Sequence, residues 1–321
     1  MVGKTVYLHI GAPKTGTSAL QSALVRNRPW LQQRGFAYPA SDSDAQAEAG
    51  RITSGNGFAL AKYMNPKSDV MPNANIAAIW AHTRREIDAA PGNVLYSSEF
   101  FFFMDPERLQ LFAEDLRSMG VGLKIILWLR NITEHALSAY NQVVKRHKQV
   151  NDFETFCRTE YRANFLAVLR HCHTAVARED VIVGSYDDNR TALFASFCRD
   201  LGIDATGVTE IAETINRSLS RYELEVIRYL NRIVESQPAL VKLSDALLYA
   251  DPDKRPAYTI SQREADILEA RFGDEVREIN GLVGRPVIAL GSPAVPVGPA
   301  AAFALDERDT VLLALLAAQL R

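Results

Sequence analysis

Thr5-Val6-Tyr7-Leu8-His9-Ile10, then Gly11-Ala12-Pro13-Lys14-Thr15-Gly16-Thr17-Ser18, then Ala19-Leu20-Gln21, is the stretch on which the fold turns. Its first six residues are apolar, partly β-branched and closed by a glycine, the pattern of a buried strand. From Thr17 onward the apolar residues Leu20, Ala23, Leu24 and Leu31 recur near one helical face. Between the two lies a loop with glycines at 11 and 16. In a strand–loop–helix of this kind, successive backbone N–H groups form an anion cradle, and the helix N-terminus adds partial positive charge. Gly11 and Gly16 permit close approach and unusual dihedrals. Thr17 and Ser18 offer hydroxyls beside the same anion and can cap the helix. Lys14 brings a full charge. The plain alternative is a Gly/Thr turn that only starts a helix.

Three further strands are predicted, at 94–97 (VLYS), 124–129 (KIILWL, the clearest buried strand) and 180–185 (DVIVGS). Helical spacing covers 75–89, 106–119, 132–148, 153–177 and 191–201. Pro29 is predicted to kink or divide the first helix, and 41–57, rich in Ser, Asp, Ala and Gly, reads as a loop. Strands alternating with helices imply parallel βαβ units, hence an α/β fold, a three-layer sandwich around a mainly parallel sheet. After Asp204 strand signals fade. Helices are predicted at 220–234 and 261–279, an extended linker at 286–304 and a terminal helix at 306–320. The expected organisation is a nucleotide-type core over 1–219, a helical elaboration of the same domain over 220–285, and a linker with terminal helix over 286–321.

Composition narrows the partners. The chain has 321 residues, 47% hydrophobic and 23% charged, with a formal net charge of -2. No whole-molecule field draws it to nucleic acid or an anionic membrane, so a bound anion needs a local site. Cys157, Cys172 and Cys198 are odd in number and widely spaced, which argues against a disulfide framework or a zinc site and for a reducing, cytoplasmic compartment. The opening apolar run is too short for a signal-peptide core, and no stretch reaches membrane-span length.

The loop departs from the Walker pattern, which places Lys after the second glycine. Here Thr17 holds that place and Lys14 sits inside the loop, close to where a group would transfer, with no evident demand for Mg²⁺. The stretch His9 to Gln21, HIGAPKTGTSALQ, resembles the 5′-phosphosulfate loop of PAPS-dependent sulfotransferases, nearest to bacterial and carbohydrate-type members. The resemblance implies a P-loop sulfotransferase fold with PAPS as co-substrate and no metal. Pro13, Lys14, Thr15, Gly16, Thr17 and Ser18 then bind the 5′ end. It also implies a 3′-phosphate grip made by an Arg at the end of a later strand and a Ser on the next helix. Arg130 and Ser138 match that pattern, with Tyr140, Asn141 and Gln142 downstream. The physics agrees, because Arg offers a charged fork at the carboxyl edge of a parallel sheet. Asn216 to Ser220 falls where the family places a late basic loop, so Arg217 is a further 3′-phosphate candidate. The same segment also reads as a helix cap, with Ser218 or Ser220 followed by Glu223.

Sulfuryl transfer needs a base for the acceptor proton and positive charge near the leaving phosphate oxygen. Lys14 suits the second role. Glu99, just past the second strand, suits the first, and the resemblance supports a Glu there. Neighbouring Phe100 to Phe103 would raise its pKa if they pack around it; otherwise Glu99 is a capping or surface carboxylate. His9 reads as a packed residue. Gly55-Asn56-Gly57 reads as a flexible turn or part of an acceptor pocket. The expected acceptor is a small molecule or carbohydrate hydroxyl (or amine). The other classes consistent with the loop are a small-metabolite kinase, which needs ATP and Mg²⁺, and a nucleotide-binding module without turnover.

Overall fold

The computed structural model describes residues 3–69, 71–208, 218–250 and 257–298. In chain order they form β1 (Thr5–Gly11), α1 (Thr17–Arg26), α2 (Arg28–Gln33), β2 (Phe36–Ala37), α3 (Asp44–Glu48), α4 (Phe58–Met64), α5 (Ile76–Ala89) and β3 (Asn93–Ser98). A 3-10 turn (Glu99–Phe103) leads to α6 (Pro106–Ser118), β4 (Gly122–Leu129), α7 (Ile132–Arg146), α8 (Phe153–Thr159) and α9 (Phe165–Ala175). Then come β5 (Val181–Ser185), α10 (Tyr186–Asn189), α11 (Leu193–Asp200), α12 (Arg221–Ile233), α13 (Gln237–Ala250) and α14 (Gln262–Val283).

The chain divides into two compact units. The first takes the described residues of Met1–Arg130, Asn164–Thr214 and Val283–Val287; the second takes those of Asn131–Ala163, Ile215–Leu282 and Ile288–Arg321. The division follows contacts rather than sequence order. Residues 131–163, which the sequence reading places in the nucleotide core, belong with the later helices. The predicted helix over 306–320 lies outside the described residues.

The first unit holds one five-stranded sheet in the order β2-β3-β1-β4-β5, every pair parallel. Its strands are apolar on both faces, as a sheet covered on both sides requires. On one face Tyr7, Leu95, Ile126 and Trp128 pack with Leu20, Leu24, Phe194 and Phe197, so α1 and α11 cover it. On the other, α6 and α9 pack together and against β4. The fold is therefore α/β with helices on both faces, as the alternation implied.

Local chemistry sets the helix ends. The first helix is divided, as Pro29 implied: α1 ends at Arg26 with Asn27 as its C-cap, and Pro29 sits in the first turn of α2. Asn75, Asp105 and Asp152 each accept a bond from a first-turn N–H of α5, α6 and α8. The single helix expected over 153–177 is two, because Asn164 adopts a left-handed φ of 57° before α9.

In the second unit, Leu230, Val234 and Leu240 form an apolar cluster between α12 and α13, and α7 and α8 pack through Tyr140 and Phe156. Ser220 and Glu223 form a capping box at the start of α12. Two basic residues at the end of α7 and just beyond it are tied to neighbouring elements. Arg146 donates to Ser244 and Asp245 (3.0 and 2.5 Å), and Lys148 to the Val234 carbonyl (2.9 Å).

Candidate nucleotide-binding site

Strand register decides where the chemistry gathers. Ile10 pairs with Ser98, Gly11 with Trp128, and Leu129 with Ser185. Four strands thus end together. The residues that follow them, the 12–16 loop, Glu99, Arg130 and Tyr186, leave the sheet at one carboxyl edge, around central β1 where the strand order reverses. That is where open α/β sheets bind ligands.

The loop from Ala12 to Gly16 is tightly specified. Gly16 sits at φ 71°, and a Cβ there would lie 2.9 Å from the Tyr186 ring. A Cβ on Gly11 would overlap the Thr17 side chain. Lys14 is also left-handed (φ 67°), a conformation that costs a non-glycine residue about 1–3 kcal/mol. The Thr15 hydroxyl donates to the Ala12 carbonyl at 2.6 Å and closes the loop on itself. Neither Thr17 nor Ser18 caps α1. Gly16 is the N-cap residue and no side chain bonds the first-turn N–H groups there. Thr17 Oγ1 is buried and has no hydrogen-bond partner among the described residues. An uncapped helix N-terminus, an orphaned hydroxyl and a lysine in one loop fit a phosphate-type anion.

Glu99 begins the 3-10 turn directly after β3 and is half-buried. Its desolvation raises the carboxyl pKa above the ordinary value, with the Lys14 charge acting in the opposite direction. The two charged groups thus share one electrostatic neighbourhood. The phenylalanines divide. Phe101 and Phe102 are buried in the core. Phe100 and Phe103, which eclipse one another in a 3-10 turn, line a cavity of about 220 Å³ with Phe58, Ala61 and Lys62. Phe103 is 54% exposed.

Arg130 directly follows β4, its side chain only 18% exposed. Its Nη1 donates to the Lys14 carbonyl at 2.9 Å, its Nε lies 3.9 Å from Asp187 Oδ1, and its guanidinium stands 5.2 Å from the Tyr186 ring centroid. The first unit therefore brings together Pro13 through Ser18, Glu99 and Arg130. Ser138 is half-buried on α7, in the second unit. Arg217 lies outside the described residues. Two residues after it, Leu219 is pinned from both backbone groups by the Asn141 side chain (3.2 and 3.3 Å).

Several supporting residues carry no motif of their own. His9 is fully buried and hydrogen-bonded through Nδ1 to Ser97 Oγ at 2.8 Å, and burial drives its pKa down to about 3. It is a neutral packed residue, as read from the sequence. Gln21 donates to the same hydroxyl at 3.3 Å. Gly55-Asn56-Gly57 is not a free turn. Asn56 Oδ1 accepts from Ser97 N at 2.8 Å, Gly57 N donates to the Ser97 carbonyl at 3.1 Å, and a Cβ on Gly55 would overlap that carbonyl. The segment locks the end of β3 that presents Glu99. Asp187 and Tyr186, beside the loop and Arg130, belong to no recognisable motif. Their only sequence signal is their place immediately after a predicted strand.

Fold and site together define a parallel α/β protein with a phosphate-type loop at the centre of its carboxyl edge. No family model and no curated protein matches the sequence. Three of the solved structures to which the chain is similar are sulfotransferases by name or PAP-bound. One is a sulfotransferase from Alicyclobacillus acidocaldarius, with 18% identity over 88% of this chain and 97% of that one (TM-score 0.47). A second is the sulfotransferase domain of the Synechococcus PCC 7002 olefin synthase, with 15% identity over 79% and 96% (TM-score 0.34). A third is retinol dehydratase with androsterone and inactive cofactor PAP, with 12% identity over 98% and 80% (TM-score 0.29). The chemistry of the present chain rests on its own residues. Among those described, no helix is long and apolar enough to cross a membrane, and no group of three His, Cys, Asp or Glu side chains is arranged to hold a metal ion.

Proposed function

We propose that this chain is a PAPS-dependent sulfotransferase acting on an acceptor hydroxyl or amine. The observation that carries the reading is the pairing, at one sheet edge, of an uncapped phosphate-type loop containing Lys14 with a desolvated carboxyl at Glu99. The loop from Pro13 to Ser18 holds the 5′ end of the nucleotide, with Thr17 Oγ1 and the first-turn N–H groups facing its oxygens. PAPS supplies the sulfuryl group. Glu99 accepts the proton as the acceptor oxygen bonds to sulfur, and its raised pKa brings it closer to the working pH of a base. Lys14 stabilises the charge that develops on the phosphate oxygen as the old S–O bond breaks. Arg130 supplies charge for the 3′-phosphate, and the resemblance assigns Ser138 and Arg217 to the same group. For the acceptor, the carbohydrate class follows from the resemblance of the loop, and the Phe58, Phe100 and Phe103 rings suit the apolar face of a sugar.

Calorimetric titration with PAP (adenosine 3′,5′-bisphosphate), and separately with ATP plus Mg²⁺, tests the reading. The expected result is metal-independent PAP binding that weakens strongly in Lys14→Ala. Binding of ATP alone, with metal, overturns it in favour of a kinase. Tight PAP binding without turnover on any acceptor in a panel of sugars, phenols and alcohols marks a binding module.

A further inference from the structure

The position of Arg130 has a consequence beyond any contact with a 3′-phosphate. The phosphate loop contains a lysine in a left-handed conformation, which persists only where its surroundings over-determine it. The loop's internal bond, Thr15 to Ala12, spans Lys14. Arg130 Nη1 donates to the Lys14 carbonyl itself at 2.9 Å. The guanidinium is in turn flanked by the Asp187 carboxylate, 3.9 Å from Nε, and by the Tyr186 ring at 5.2 Å. That same ring stands against Gly16, where a Cβ would come within 2.9 Å of it. The corner after β5 thus supports the loop twice, once by packing on Gly16 and once through Arg130.

We propose that Arg130 is a positioning residue for the phosphate loop, oriented by Asp187 and Tyr186, and that it sets the loop's affinity for a 5′-phosphate whether or not a 3′-phosphate is present. The proposal rests on the sulfotransferase reading in so far as the loop's ligand is a 5′-phosphorylated adenosine. Arginine suits the task because its planar fork carries several donors in fixed directions, so one nitrogen can serve the loop while others face a carboxylate or phosphate. A lysine holds the charge but not the fork.

The test compares PAP with 5′-AMP, which lacks the 3′-phosphate, by calorimetry on the full chain. If Arg130 acts through the loop, Arg130→Ala and Arg130→Lys both weaken 5′-AMP, by about tenfold for the alanine, the weight of one charge-assisted hydrogen bond. Asp187→Asn weakens 5′-AMP in the same direction, and Asp187→Glu restores it, a rescue that loss of packing alone would not show. If 5′-AMP affinity is unchanged in Arg130→Ala while PAP affinity falls, Arg130 serves only the 3′-phosphate and the proposal is wrong. Amide hydrogen exchange of residues 14 to 18 in the nucleotide-free protein provides a second readout. Faster exchange in Arg130→Ala and Asp187→Asn than in wild type supports the clamp, and identical exchange overturns it. Should wild type bind neither nucleotide, the sulfotransferase reading fails, and the exchange measurement still decides the clamp.

Discussion

Glu99 is half-buried, and desolvation raises its pKa against the opposing pull of Lys14. A raised carboxyl pKa means that the folded chain binds more protons than the unfolded one between the ordinary carboxylate value and the folded value. Ionisation therefore costs stability, and that cost appears as pH rises through the folded pKa. Glu99→Gln should accordingly unfold at a higher denaturant concentration than wild type at pH 7, with the difference closing below the ordinary carboxylate pKa. The same substitution should lower sulfuryl transfer by about 10²–10⁴-fold, the usual contribution of a general base. It should also remove an acid limb in the wild-type rate profile that lies above the ordinary Glu value. A variant that is less stable at pH 7 and equally active would show Glu99 to be a structural carboxylate. Gly11 makes a separate case. Gly11→Ala places a methyl where the Thr17 side chain lies, so the first residue of α1 must move. The expected outcome is loss of PAP binding in calorimetry with the far-ultraviolet circular dichroism unchanged.

Elements with a large local signal were legible in the sequence. The strands β1, β3, β4 and β5 are buried parallel strands and read as short continuous apolar runs bounded by breakers. The loop, Glu99 and Arg130 were legible because each directly follows such a strand. What escaped has little local signal. β2 is two residues long and exists through its pairing with β3. α3 and α4 span five and seven residues, too short for periodicity to declare itself. The Asp187–Arg130 relation joins residues at the ends of different strands, and no spacing rule reaches across such a gap. Caps sit between these cases, since a Ser followed three residues later by Glu is readable as a motif. In Asn216 to Ser220, the capping half of the reading is met at Ser220. Ser220→Ala should therefore cost about 1 kcal/mol of stability, measurable as a shifted denaturant midpoint with unchanged slope. An unchanged midpoint would mean the box at α12 adds nothing beyond what water supplies.

The protein's net charge of -2 gives no general attraction for a multiply charged nucleotide, so affinity must come from the loop and its neighbours. Lys14, Thr17 and Arg130 belong to the first unit, as does Glu99, while Ser138 and the helices α12, α13 and α14 belong to the second. A ligand that binds only the native state stabilises it by mass action, about 2.7 kcal/mol at one hundred times its Kd. PAP at that excess should slow amide exchange in the loop, in the first turn of α1 and in β1, β3 and β4. The response of α12 to α14 measures how the two units are coupled in unfolding. Equal slowing there means that exchange proceeds by one global opening of both units. No slowing there means that the second unit opens by itself, a sub-global event of lower free energy. In either case the loop must be protected. If residues 12 to 18 exchange at the same rate with and without saturating PAP, the nucleotide does not bind at the carboxyl edge of this sheet, and the assignment of Lys14 and Glu99 as reacting partners falls with it.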